Sequence, residues 1–271
     1  MHKSFSTPDP VSLFVELLGG DLVVRTGEVS ETVVEVSGQD ADAVRVEQHG
    51  EEIMVLARPG GFFGSSPRVS VQVSVPHDSR LSAKLGSADV RVEGRLGAST
   101  VKAGSGDVQI EELGAGAVIE TGSGDVRIDA VTGALKVKCG SGDVVLDRLD
   151  GHAEVLTGSG DVLVTSAREA LTAKSGSGDL RVREALEDVV LTTASGDLVV
   201  DVMHRGQLTA RNVSGDIKVG IPGGIPVWTD ITSTTGSVRS NLAGAGQPEE
   251  GQDFIELRAK TISGDVYLEQ L

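Results

Sequence analysis

The tetrapeptide Gly-Ser-Gly-Asp recurs every 18 residues through the middle of this chain, ending at Asp107, Asp125, Asp143, Asp161 and Asp179. Asp197 keeps the interval within Ala-Ser-Gly-Asp, and Asp89 anticipates it within Gly-Ser-Ala-Asp. Beyond Asp197 the spacing loosens, and related tetrapeptides end at Asp216, Ser237 and Asp265. A fixed period of this kind is the signature of stacked repeats, in which one copy cannot bury its own apolar face and neighbours must complete the core.

Each aspartate opens an alternating segment, as in Val108-Gln109-Ile110-Glu111 and Val126-Arg127-Ile128-Asp129. Alternation of period two predicts a strand with one buried face. Two aliphatic columns therefore point inward. One is Val90, Val108, Val126, Val144, Val162, Leu180 and Leu198. The other is Val92, Ile110, Ile128, Leu146, Val164, Val182 and Val200. A second short strand precedes each tetrapeptide, for example Val101-Lys102-Ala103 and Ile119-Glu120-Thr121. Its last inward position is small in every copy (Ala103, Thr121, Cys139, Thr157, Ser175, Thr193), which predicts a coil that narrows toward the turn.

The expected fold is all-β: a single-domain β-solenoid of 18-residue coils, each with two short strands, and irregular capped ends. Of the 271 residues 36 are glycine and only 3% are aromatic, which suits short β-branched strands joined by glycine turns rather than a large aromatic core. Residues 1–80 read as an irregular N-terminal β region that caps the stack, with Gly19-Gly20-Asp21-Leu22 a faint copy of the turn. Residues 81–218 form the regular array, and residues 219–271 form irregular C-terminal coils, all in one continuous domain. Trp228 and Tyr267, near that irregular end, are expected to plug the last coil.

A net charge of −16 opposes binding to nucleic acid and to anionic membrane surfaces. No segment reaches membrane-spanning length, so no membrane insertion is expected. The first residues lack the apolar core of a signal peptide, and the lone Cys139 permits no internal disulfide; both fit a cytoplasmic protein.

The repeated Ser-Gly-Asp-Val turns, the irregular N-terminal strands ending in Val75-Pro76, and a last Ile262-Ser263-Gly264-Asp265-Val266 resemble the bacterial β-strand-repeat family labelled "putative adhesin". The resemblance covers nearly the whole chain. It implies a β-solenoid of unknown function, with some relatives linked to the cell envelope and its stress responses, and it supplies no catalytic residues.

The most distinctive candidate site is the column Asp89, Asp107, Asp125, Asp143, Asp161, Asp179 and Asp197. Stacked in register, these carboxylates line one edge. Their first reading is structural, with Asp and Ser side chains bonding nearby backbone in each turn. The second is a divalent cation such as calcium bridging oxygen ligands. The five histidines share no metal-ligand spacing. No nucleophile–base arrangement stands out, and a uniform array does not set an acid apart from a base. No catalytic residue, metal or cofactor is therefore expected. Phe62 and Phe63, in the glycine-rich loop Gly60–Ser66, mark either a contact surface or a flap over the core end. The expected role is a non-enzymatic interaction scaffold with an unidentified protein partner. The alternatives are an envelope-associated adhesin or stress-response protein, and a self-assembling structural protein.

Overall fold

The structure is a computed structural model that describes residues 1–57, 68–244 and 246–271. The chain forms two compact units, residues 1–139 and 140–271. Both are all-β, and the only helical element among the described residues is a 3-10 turn at Ala41–Ala43. Phe62 and Phe63 lie outside the described residues.

The first unit holds β1 (His2–Ser6), β2 (Ser12–Gly27), β3 (Glu31–Ser37), β4 (Val44–His49), β5 (Glu52–Ala57) and β6 (Arg68–Pro76). It continues with β7 (Arg80–Leu96), β8 (Ser99–Ala103), β9 (Val108–Leu113), β10 (Ala117–Thr121) and β11 (Val126–Val131), and β12 (Leu135–Ser141) leads out of it. The coils stack in parallel and in register: Val90 beside Val108 beside Val126, and Val92 beside Ile110 beside Ile128. These six side chains are all buried, as the alternation predicts. The second strands stack likewise, with Val101 beside Ile119 beside Val137.

The faint repeat at Gly19–Leu22 is a real coil. β2 runs parallel to β7 with Asp21 opposite Asp89 and Leu22 opposite Val90. On its other side β2 pairs with β5 and then β6, which together form the end coil. That end is closed by antiparallel strands: β4 on β5, β3 on β6, and β1 on β3. Val34, Val36, Val44 and Val46 on these strands are buried, so the cap covers the core as well as the edge.

The second unit contains β13 (Val144–Leu149), β14 (Ala153–Ser159), β15 (Val162–Ala167), β16 (Leu171–Ser177), β17 (Leu180–Ala185), β18 (Val189–Ser195) and β19 (Leu198–Met203). It ends with β20 (Gly206–Arg211), β21 (Ile217–Ile221), β22 (Val227–Ser233), β23 (Val238–Ser240), β24 (Ile255–Thr261) and β25 (Val266–Gln270). Within this unit an aliphatic column runs through Val144, Val162, Leu180, Leu198, Ile217 and Val266. A third inward column lies six residues after each aspartate, at Leu149, Ala167, Ala185 and Met203, all fully buried. Leu113 and Val131 hold the same place in the first unit.

The last coil in space is not the last in sequence. β24 lies between β20 and β22, and β25 between β21 and β23. The chain thus passes out to the end coil β22/β23 and returns to fill the place behind it.

Trp228 does not plug this coil. Its register partner is Glu256, on the outward face of β24, and it is 54% exposed. Tyr267 also faces outward, with the Lys218 ammonium 5.8 Å from its ring and the Arg239 guanidinium 5.4 Å from it. The strand alternation assigns both to the solvent face, because buried Leu257 and Val266 hold the adjacent inward places.

Candidate functional site

The aspartate column forms a hydrogen-bonded ladder. In the first unit the Asp107 N–H donates to Oδ1 of Asp89 at 3.0 Å, and the Asp125 N–H to Oδ1 of Asp107 at 2.9 Å. In the second unit Asp143 accepts from Asp161 at 2.9 Å, Asp161 from Asp179 at 2.8 Å, and Asp179 from Asp197 at 2.7 Å. Asp197 accepts from Asp216 at 2.8 Å, Asp216 from Asp265 at 2.9 Å, and Asp265 from Ser237 at 2.8 Å. The main-chain carbonyl answers in the other direction, as when Leu180 N–H donates to Asp197 O at 3.0 Å. Each carboxylate therefore ties its coil to the next one, rather than folding onto its own turn. A carboxylate oxygen facing an N–H loses much of its repulsion for its neighbours.

The glycines before these aspartates are required by close stacking. A Cβ on Gly124 would lie 2.0 Å from the carbonyl oxygen of Gly106, and one on Gly178 would lie 2.1 Å from that of Gly160. That carbonyl also explains the column of small polar residues. Ser175 Oγ donates to Gly160 O at 3.4 Å, and Thr193 Oγ1 to Gly178 O at 3.3 Å. Cys139 fits the same place, with its Sγ 3.5 Å from Gly124 O. Among the described residues, no group of three or more His, Cys, Asp or Glu side chains is placed to hold a metal ion.

At the far end of the second unit the geometry is different. Val227, Thr229 and Ile231 of β22 stand beside the buried Ile255, Leu257 and Ala259, so they point into the core direction. Val238 of β23 stands beside buried Val266, yet Val238 is 48% exposed. A cleft of about 520 Å³ opens here, lined by Thr229, Ile231, Val238 and Leu242 among others. Among the described residues, no strand pairs with the other side of β22 or β23. Beside this edge Pro226, Trp228, Pro248 and Phe254 line a second hollow of about 370 Å³. Phe254 is 49% exposed. Arg258 lies 5.9 Å from the Trp228 ring and pairs with Glu256.

The end coil is pinned by Asp265. Its carboxylate accepts from the Ser237 N–H and from the Tyr267 hydroxyl, the latter at 2.9 Å, and Arg239 lies nearby. The Ser237 N–H first, then the Tyr267 hydroxyl, holds this carboxyl below the usual aspartate range. The same hydrogen bond raises the Tyr267 phenol.

This open coil was not legible as a site, because nothing in the strand alternation says which coil is terminal. The exposed aromatics are its only signal in a chain with one Trp, one Tyr and five Phe.

The fold and ladder define an all-β solenoid of stacked, carboxylate-tied coils. The chain belongs to the Toastrack DUF4097 family, whose model matches residues 12–190. No curated protein matches it. Its architecture is similar to a "putative adhesin" from Bacteroides fragilis at 11% identity, covering 98% of this chain and 96% of that one with a TM-score of 0.43. It is similar to another from Parabacteroides merdae at 12% identity, covering 99% and 95% with a TM-score of 0.43. A "putative lipid binding protein" from Parabacteroides distasonis is 10% identical, covering 100% and 96% with a TM-score of 0.45. Among the described residues, no helix is long and apolar enough to cross a membrane.

Proposed function

We propose that this protein is a non-enzymatic interaction scaffold. Its stacked coils hold one unfinished end for a protein partner. The observation that carries this reading is the pair Trp228 and Phe254, half exposed beside an open coil. Aromatic side chains on a rigid support are the usual anchors of protein interfaces. Glycine-tight, register-locked coils supply that rigidity.

The same reading places the protein in the cytoplasm, where its single buried cysteine stays reduced. The test is a pull-down from the host with soluble and envelope fractions kept apart. Wild type is compared with a Trp228→Ala, Phe254→Ala double variant. A stoichiometric partner in the soluble fraction, held by wild type and lost by the variant, is expected. Identical recovery by both would overturn the reading, and recovery with the envelope would overturn the cytoplasmic placement.

A further inference from the structure

The free edge of β22 has a chemistry that selects its occupant. Strand β22, Val-Trp-Thr-Asp-Ile-Thr-Ser, carries a single charged residue, Asp230. A seven-residue edge strand turns about three N–H and C=O groups outward, in the pattern that pairs with another chain. Natural edges are usually blunted by lysine, proline or a covering strand. The first unit has such a cover in β3 and β4. The end coil of the second unit has none among the described residues.

Two further features set the partner's composition. Inward positions Val227, Thr229, Ile231 and Val238 leave aliphatic surface that a neighbouring strand would cover with its own alternate side chains. The adjoining loop contributes Glu249, Glu250 and Asp253, all exposed and, among the described residues, without ion pairs. From 240 to 257 the sequence contains no lysine or arginine. A second copy would bring the same acids against these, on a chain of net charge −16. Like-charge juxtaposition disfavours that pairing.

We propose that the edge of β22 is extended in the working complex by a β-strand from a basic partner, with aliphatic side chains toward the core and Lys or Arg outward. The Trp228–Phe254 hollow takes an apolar side chain from the end of that strand. This rests on the scaffold reading and specifies its partner; the addition of a strand to a sheet edge draws affinity from main-chain hydrogen bonds and specificity from alternate side chains.

Trp228 is the only tryptophan, so its fluorescence reports this edge alone. The full chain is titrated with a blocked nine-residue peptide of alternating valine and lysine. Alternating valine and glutamate, and a backbone N-methylated valine–lysine peptide, serve as comparisons. The expected result is a saturable Trp228 change with valine–lysine, weakening as salt rises, and at least tenfold weaker binding of both comparisons. Equal binding of the N-methylated peptide, equal binding of the glutamate peptide, or no saturable change would each overturn the proposal. So would a dimer in sedimentation that buries Trp228. If these peptides fail while the pull-down still loses its partner on mutation of Trp228 and Phe254, the scaffold reading survives and strand addition does not.

Discussion

The backbone N–H of Asp197 donates to Oδ1 of Asp179 across 2.7 Å, one coil further along the stack. The contact needs an acceptor oxygen on a short side chain, not a negative charge. Asp179→Asn keeps that oxygen and removes a like charge from the column, so its stability should stay within about 0.5 kcal/mol of wild type. Asp179→Ala leaves the amide to water and should cost about 1 kcal/mol, the usual net worth of such a bond. Urea unfolding of the two variants separates them. Equal losses would mean that the ladder is held by charge rather than by the acceptor.

Gly178 has φ +151° and stands where a Cβ would come within 2.1 Å of Gly160 O. Neither that backbone angle nor that separation suits alanine. Gly178→Ala should cost on the order of 3 kcal/mol, from strain and from forcing two coils apart. Ser177→Ala, an exposed neighbour in the same turn, should cost less than about 0.5 kcal/mol. Thermal unfolding of both variants is the measurement, and a mild Gly178→Ala would show that the coils can separate locally.

Leu149 is fully buried, whereas its neighbour Arg148 is half exposed and paired with Asp150 at 3.0 Å. Leu149→Ala should cost about 3 kcal/mol, the transfer and cavity terms together. Arg148→Ala should cost less than about 1 kcal/mol, since exposed ion pairs contribute little. Denaturant midpoints of the two variants test whether the third inward column is as much part of the core as the two that alternation reveals.

That third column marks the boundary of what the residues disclose. Val126 and Ile128 announce their inward direction by alternating with Arg127. Val131 follows Ala130, also buried, so strict alternation fails there and the 18-residue spacing alone could have exposed it. The aspartates were legible as backbone caps, but not the coil they reach: Asp179 could have bonded its own turn. Asp21 was legible as a repeat, since its tetrapeptide sits before Leu22, and its register with Asp89 bears this out. The return of β24 and β25 behind β22 and β23 was not, because every coil offers the same ladder and only long-range pairing decides which neighbours meet. Trp228 turns outward against expectation for the same reason: its place in the alternation is fixed only by its pairing with β24.

Asp265 makes the end coil sensitive to acid. Its folded carboxyl titrates below the ordinary value of 3.8, because the ionised form accepts from Ser237 and Tyr267. A depressed carboxyl contributes stability that is complete above the unfolded value and is lost as pH falls through the folded value. The Ser237 amide resonance should therefore titrate with a midpoint below 3.8 in wild type and should show no such step in Asp265→Asn. A midpoint at or above 3.8 would contradict the assignment. Loosening of β22 and β23 before the rest of the second unit is expected over the same acid range.

Calcium separates the two readings of the carboxylate column. Within the first unit Oδ1 of Asp89 and Asp107 each meet an N–H, and in the second unit Asp143, Asp161, Asp179, Asp197, Asp216 and Asp265 do the same. A calcium ion takes six to eight oxygens, and although each carboxylate keeps Oδ2 beyond its amide bond, among the described residues no group of three or more of these side chains is placed to hold a metal ion. The melting temperature should therefore be the same in millimolar calcium and in chelator. A ligand that binds only the folded chain at a hundred times its dissociation constant would add about 2.7 kcal/mol and raise the melting temperature by several degrees. A rise of that size that disappears in Asp161→Asn would reassign the ladder from backbone capping to cation binding.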